Sequence, residues 1–530
     1  MEVFYGRDIL LLAPFLMLCV LQALWLFIPA GKMERTISPK VLNAVLCLCL
    51  AITVGTLLRQ YPWTTLPTQT DSSVFLYIGK QMHAGKVPYV DLFDHKGPIQ
   101  YFIQYLGYSI WPNSIAGGVW ILEVLSFGLL SLLMLRVSSL VSDDVRNGYL
   151  GAMLVLIVCA FKLYQGGNYT DEHALLWIML AAYIFFSFFR TGKYTNVQLL
   201  LLGASCMVVL LLQENLVTVW VAFIPVVFIR LIHEKRTKEI WRCMLLFIAG
   251  MLIVLIPVLI WAAYNHCLKE MWDCYVLFNF VYSKEKGGTL LDYWILTRKN
   301  LTRMWPGVFA LVISLIRYRK DPLQWLNLWF FIVSVFLMQL SGRDSLYYML
   351  LILPCYVIPA ASFFDMLQRL YLHGKPAGKN PILILLSFLL LITAAVGHRE
   401  LSSRRERYND GVVEYLQETT EKSEDILIFG NYAWPYLAAD RTTENRFFFQ
   451  WPPVKVRLEL YQEFLQNLLV DHPSDLVILP EHENSILMIP GKGLIDDTLA
   501  LLEQHGYVKE QHDGFSAWIA PWKQQADKAE

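Results

Sequence analysis

Neither sign of charge dominates this 530-residue chain: 44 Lys and Arg balance 44 Asp and Glu, which leaves no basic excess to attract nucleic acid. Charged residues of any kind make up only 17% of the sequence, too few for an ordinary soluble enzyme of this length. No G-x-G-x-x-G fingerprint follows a strand-like run, which removes the usual dinucleotide-binding motif. Internal repeats and low-complexity linkers are also missing. The nine cysteines supply no disulfide framework, because Cys19, Cys47, Cys49, Cys159, Cys206, Cys243 and Cys355 lie inside apolar runs where a thiol behaves as a small hydrophobe. Cys267 and Cys274 share one loop, where they could pair or be held apart on one helix.

What the chain has in abundance is apolar surface, at 56% hydrophobic and 14% aromatic residues. Runs approaching the roughly 20 residues that a bilayer crossing needs occur near 9–29, 41–58, 116–139, 148–164, 174–190 and 196–212. Others follow near 215–232, 243–264, 305–317, 325–340, 346–367 and 381–397. The expectation is a polytopic α-helical membrane protein of about twelve transmembrane helices. The first run is followed by no A-x-A-like cleavage site and is taken as an anchor. Lys and Arg gather in alternate short connections, at Lys32/Arg35/Lys40, Arg136/Arg146, Arg190/Lys193, Lys235/Arg236/Lys238/Arg242, Arg317/Arg319/Lys320 and Arg369/Lys375/Lys379. By the positive-inside rule these face the cytoplasm, which puts the 71–98 loop, the GGNYTDEH loop, the 265–304 loop, the SGRD turn and the C-terminal tail outside. Residues 99–112 are aromatic but short for a span, so a juxtamembrane helix at the outer interface is expected.

Past Gly397 the composition turns charged, and apolar residues shrink to strand-length and helix-spaced groups. DILIFG (425–430) and DLVILP (475–480) read as buried strands, between helices at GVVEYLQETTEK, VRLELYQEFLQNLL and DDTLALLEQHG. The expected division is a transmembrane domain over 1–398, carrying an external loop at 59–115, and an extracytoplasmic α/β domain over 399–530.

The external loop DSSVFLYIGKQMHAGKVPYVDLFDHKGP holds three aspartates, two histidines and three lysines between two apolar neighbours. Asp71 precedes the stripe Val74, Phe75, Ile78 and Met82 and so stands at a helix N-terminus, either as a cap or as a reactive carboxylate. Pro98 opens the next helix and Lys96 stands just ahead of its positive end, where a phosphate would be welcome. Asp91 suits a local backbone cap, whereas Asp94 suits either a cap or a hydroxyl-orienting role. The second acidic loop brings Asp171, Glu172 and His173 to a helix mouth, where they either complement the helix dipole or bind substrate or a divalent cation such as Mg or Mn, with Asp71 as a further ligand. Glu123 lies within a span, where inter-helix hydrogen bonding is the plainer reading, and Glu214 sits at an exposed turn.

The acid that opens the first large external loop, the element GKVPYVDLFDHKGPIQYF and the second acidic loop TDEH together resemble GT-C-fold membrane glycosyltransferases that use polyprenyl-phosphate sugars. Within that fold the likeness is to the group of protein O-mannosyltransferases and lipid A aminoarabinose transferases. Ser72 stands where Glu is common in that group, and HKGP where KPP is found in some members. The resemblance implies transfer of a sugar, with inversion, from a polyprenyl-phosphate donor to an envelope glycan, lipid or protein on the outer face of a bacterial plasma membrane. It implies Asp71 as catalytic base and Lys96 with Arg343 of SGRDSLYY as phosphate-binding cations. Tyr347 and Tyr348 would line the lipid groove; a snorkelling role for Arg343 is the alternative. The competing classes are a lipid-linked polysaccharide polymerase or ligase, which shares donor and compartment, and a flippase or transporter of lipid-linked sugars, which would keep its polar residues at the midplane.

Overall fold

A computed structural model describes residues 38–63, 67–68, 70–160, 162–284, 289–339, 344–372, 392, 411–450, 457–480 and 494–527. The anchor run 9–29, Lys32, Arg35, Arg343, Lys375, Lys379 and, Ile392 apart, the run 381–397 lie outside them. The chain forms two compact units, one of Met1–Thr65, Val119–Val258 and Lys286–Ser403, the other of Leu66–Gly118, Leu259–Glu285 and Arg404–Glu530.

The first unit is helical and belongs in a membrane. Among the described residues five helices are long and apolar enough to cross a bilayer: Gly117–Ser138, Thr170–Thr191, Thr237–Tyr264, Pro322–Gln339 and Leu346–Tyr371. Shorter apolar helices at Lys40–Gly55, Val145–Cys159, Asn196–Leu210, Thr218–His233 and Trp305–Arg317 match further apolar runs. Burial separates two kinds of helix. Leu346–Tyr371 is packed almost wholly inside the protein, whereas Thr237–Tyr264 exposes Leu245 (66%), Ile253 (61%) and Ile260 (64%), a face suited to lipid. Where helices meet without a solvent-driven hydrophobic force, small residues let backbones touch. At Gly203 an added Cβ would fall 1.9 Å from the Phe247 carbonyl oxygen, and at Gly250 2.1 Å from that of Leu200, so Asn196–Leu210 and Thr237–Tyr264 cross at bare backbone.

In the second unit, the stripe expected after Asp71 forms the helix Thr70–His83, which ends before Gly85 at φ 97°. The short aromatic stretch forms Pro98–Ile110, with Gly97 as its N-cap. This helix buries its polar side, Gln100, Tyr101 and Gln104, and turns Tyr105, Leu106 and Ile110 outward, as a helix at a membrane interface does. Four strands make a mixed sheet: β1 (Ile426–Ile428), β2 (Leu476–Pro480), β3 (Val508–His512) and β4 (Phe515–Ile519), in the order β1-β2-β4-β3. β1 and β2 are parallel, with Leu427 opposite Val477, and the other two pairings are antiparallel. The helices Gly411–Thr419, Leu458–Gln466 and Leu494–Gln504 occupy the amphipathic stretches between and beside the strands.

The loop and the C-terminal segment of this unit are laced together. Ala433 N–H donates to Ser73 Oγ (2.9 Å), Thr443 N–H to the Tyr77 hydroxyl (3.2 Å) and Phe93 N–H to the Arg446 carbonyl (2.9 Å). Lys80 pairs with Asp440 and Lys86 with Glu444, while the Tyr77 ring packs on Tyr436 and Phe448 at 5.0 and 4.7 Å. Cys267 and Cys274 are both free thiols.

Candidate active site

Asp71 falls in the first turn of Thr70–His83 and is half-buried, while its neighbours Ser72 and Ser73 are fully buried. The helix is stabilised there by Ser73 Oγ, which donates to the Thr70 carbonyl (2.6 Å). A carboxylate in the first turn suits the dipole, and its partial exposure leaves it open to a reactant.

The turn that follows is organised from inside. Tyr89 takes a left-handed φ of 73°, unusual for a bulky residue, and three bonds hold it or use it. Arg446 Nη2 donates to the Tyr89 carbonyl (2.6 Å), Tyr89 N–H donates to the Leu92 carbonyl (2.8 Å), and the Tyr89 hydroxyl donates to the Lys96 carbonyl (2.8 Å). The Lys96 N–H in turn donates to the Tyr101 hydroxyl (3.1 Å), which donates to Asp94 Oδ2 (2.8 Å). Asp94 Oδ1 accepts from the His95 N–H (2.7 Å), with His95 Nδ1 3.2 Å away. Asn279 closes the chain by donating to the His95 carbonyl (2.8 Å). Burial pushes the Asp94 carboxyl up, but the His95 ring and N–H and the Lys96 charge outweigh it and hold Asp94 below the usual carboxylate range. Asp94 is therefore a buried, ionised brace for the turn that carries Lys96. Asp91 is the expected local cap, since Oδ2 accepts from the Val87 N–H (2.6 Å).

Arg446 is the residue that sequence reasoning passed over. Its guanidinium packs 5.3 Å from the Phe93 ring and 5.7 Å from that of Phe447, binds Glu463 and Tyr89, and donates to Cys274 Sγ (3.4 Å). It ties three separate stretches of one unit to the Lys96 turn. Nothing in TTENRFFFQ announces that part.

The second acidic loop, in the other unit, is built differently. Residues 165–168 all have positive φ, at 46°, 105°, 87° and 62°. Gly167 is obligatory: beside its φ, an added Cβ would lie 2.7 Å from Gln60 Oε1 and 3.2 Å from Glu123 Oε1. The Arg59 N–H donates to the Gly166 carbonyl (2.7 Å), the Asn168 N–H to Glu172 Oε2 (3.1 Å), and His173 Nε2 lies 3.0 Å from Asn168 Oδ1. Asp171, Glu172, His173 and Glu123 are all buried, at 0, 4, 7 and 1% exposure, with the carboxyls of Glu123 and Glu172 facing each other. Thr170 Oγ1 donates to Gln213 Oε1 (2.8 Å), and Tyr169 stacks on Tyr347 at 4.2 Å. Of the residues expected to touch substrate or metal, Glu172 and His173 thus bond to a strained loop. Among the described residues no three His, Cys, Asp or Glu side chains gather as a metal ion would need. Asp344, the last residue of SGRD, is held by Lys299 and Arg303, and Arg343 lies outside the described residues.

Residues 32–403 match the family described as "Putative competence-induced protein Ccs4 N-terminal domain". No curated protein matches the chain. Among solved structures it is similar to ArnT from Cupriavidus metallidurans bound to undecaprenyl phosphate, with TM-score 0.58 and 12% identity over 89% of this chain and 97% of that one. The apo form of ArnT from the same organism gives 0.56 and 13% over the same shares. An Archaeoglobus fulgidus oligosaccharyltransferase in complex with Zn and sulfate gives 0.45 and 12%, over 91% of this chain and 73% of that one. The two ArnT structures show that this chain has the GT-C fold.

Proposed function

The chain belongs to the family of the Ccs4 N-terminal domain, and on that premise we propose that it is a membrane glycosyltransferase that takes a sugar from a polyprenyl-phosphate donor. The observation that carries this reading is the GT-C fold shared with ArnT, a protein solved with undecaprenyl phosphate bound. The basic connections favour an extracytoplasmic face for the two acidic loops and for the C-terminal α/β domain, in a bacterial plasma membrane.

In the proposed reaction an acceptor hydroxyl attacks the anomeric carbon from the face opposite the phosphate. The new glycosidic C–O bond forms as the bond to the phosphate oxygen breaks, inverting the centre and releasing polyprenyl phosphate. The hydroxyl proton passes to the half-exposed Asp71 carboxylate, a general-base role worth about 10² to 10⁴-fold. Lys96, ahead of the Pro98–Ile110 N-terminus, neutralises charge growing on the leaving phosphate, and Arg343, outside the described residues, is proposed as a second phosphate-binding cation. Asp94 positions Lys96 through Tyr101. Within their own unit Glu172 and His173 hold Asn168 of the second loop; the proposed acceptor is an envelope glycan, lipid or protein. No step is routed through a metal, because the described acids and histidines do not gather into a ligand set.

The test is a panel of polyprenyl-phosphate sugars offered to the purified full chain in nanodiscs, with and without chelator, with the product's anomeric configuration read by NMR. Transfer with inversion supports the reading. Lipid-linked sugar crossing vesicle bilayers with no donor consumed would hand the protein to the flippase class.

A further inference from the structure

We propose that the end of the helical unit where the 192–195 and 234–236 turns meet binds one anionic phospholipid of the surrounding bilayer. A cavity of about 110 Å³ opens there between the helices Thr170–Thr191, Asn196–Leu210, Thr218–His233 and Thr237–Tyr264. Phe185, Leu202, Val227, Phe228 and Phe247 give it a wholly apolar lining, with Tyr194 as its single hydroxyl-bearing wall. Phe228 is 45% and Ile224 42% exposed, so the cavity opens sideways, where the helix surfaces carry apolar side chains and lipid tails would lie. An apolar groove of this kind takes an acyl chain.

The rim supplies the reason for an anionic head. Residues 190–194 and 230–242 carry seven Lys or Arg against two Glu. Three of the arginines are spent on building the site: Arg230 donates to Glu234 (2.7 Å) and lies over the Phe188 ring, Arg236 donates to the Gly192 carbonyl (2.8 Å), and Arg242 donates to the Tyr194 carbonyl (3.0 Å). These bonds stitch the two turns together and fix Tyr194, whose ring stacks on Phe188 at 4.2 Å. Lys193, Lys235 and Lys238 are exposed on the same rim, free to meet a headgroup. The Tyr194 residue is 8% exposed, and its hydroxyl has no hydrogen-bond partner among the described residues. A preformed apolar slot, a buried unsatisfied hydroxyl and lysines at headgroup depth together fit a phospholipid with a net negative head, and basic pockets between transmembrane helices are a known setting for such lipids.

Native mass spectrometry of the full chain, released from nanodiscs of mixed phosphatidylglycerol and phosphatidylcholine, reads the site directly. One phosphatidylglycerol should stay bound to wild type. It should bind roughly a hundredfold more weakly when Lys193, Lys235 and Lys238 are all replaced by Gln, at about fivefold per charge. Val227→Trp, which fills the slot, should abolish retention, and the surface lysine variant guards against misfolding as the cause. Equal retention of phosphatidylcholine, or undiminished binding in the lysine variant, would overturn the proposal. So would displacement of the lipid by polyprenyl phosphate, which would make the slot a donor site.

Discussion

The two acidic loops have nearly the same ingredients and opposite designs. The first keeps its reactive candidates, Asp71 and Lys96, half-buried at helix N-termini and commits Asp91 and Asp94 to bracing the turn between them. The second buries Asp171, Glu172 and His173, and bonds Glu172 and His173 to Asn168, the last of four consecutive left-handed residues. Acid content therefore does not separate the two loops, whereas exposure and the partners of each oxygen do. Under the proposed function the accessible charge beside the helix N-termini of the first loop serves the ligand, while the buried charge of the second serves the fold.

Asp71→Asn apart, the largest effect that would sharpen this contrast is at Lys96. Lys96→Ala should lower transfer by about 10² to 10³-fold, because the leaving phosphate loses its cation, with a smaller loss of stability from the charge that Lys96 also sets near Asp94. In the second loop the order should reverse. Gly167→Ala sets a Cβ against Gln60 and Glu123 at φ 87° and should cost about 3 kcal/mol, read as a lowered thermal midpoint and a loss of monodisperse protein. A stable, active Gly167→Ala variant would break the comparison.

Arg446→Ala sits between the two cases. It removes charged hydrogen bonds to Tyr89 and Glu463 and should destabilise by about 2 kcal/mol while weakening donor use, since the Lys96 turn loses its clamp. Arg446→Lys should restore stability better than activity, because an ammonium cannot span both partners.

The smallest effect is electrostatic. Lys422 and Lys80 hold the Asp440 carboxyl down at about 2, against about 3.9 for an unfolded aspartate. A depressed folded pKa gives stability that is present above the unfolded value and is lost as pH falls through the folded one. The advantage of wild type over Asp440→Asn should thus be constant from pH 7 to about 5, then shrink toward zero as pH drops to about 2. The side chain is 48% exposed, so solvent screening keeps the difference below about 1 kcal/mol.

Much of this architecture is legible from residue order alone. Ten apolar runs coincide with described helices, from Pro39–Gly55 to Leu346–Tyr371, because lipid demands unbroken apolar stretches and leaves the pattern in the sequence. The strands at 426–428 and 476–480 announce themselves in the same way. The β3–β4 hairpin was legible too, in Asp513-Gly514 between strand-forming residues, with Gly514 at φ 83°, a signal the periodicity reading passed over. Docking of the first loop onto residues 433–448 was not legible, since it rests on isolated bonds such as Ala433 to Ser73 that leave no local pattern. The Gly-Gly pair predicts a turn at 166–167, but left-handed Gln165 and Asn168 follow from the packing of Glu172 and Arg59 around them.

The central claim is that chemistry resides in the first loop and scaffolding in the second, and the most direct test compares Asp71→Asn with Glu172→Gln as purified, monodisperse proteins. Consumption of a polyprenyl-phosphate sugar in a single turnover should fall by about 10² to 10⁴-fold in Asp71→Asn at unchanged thermal stability, and stay within a few-fold of wild type in Glu172→Gln. Full turnover in Asp71→Asn, or a selective loss in a stable Glu172→Gln, would contradict the account.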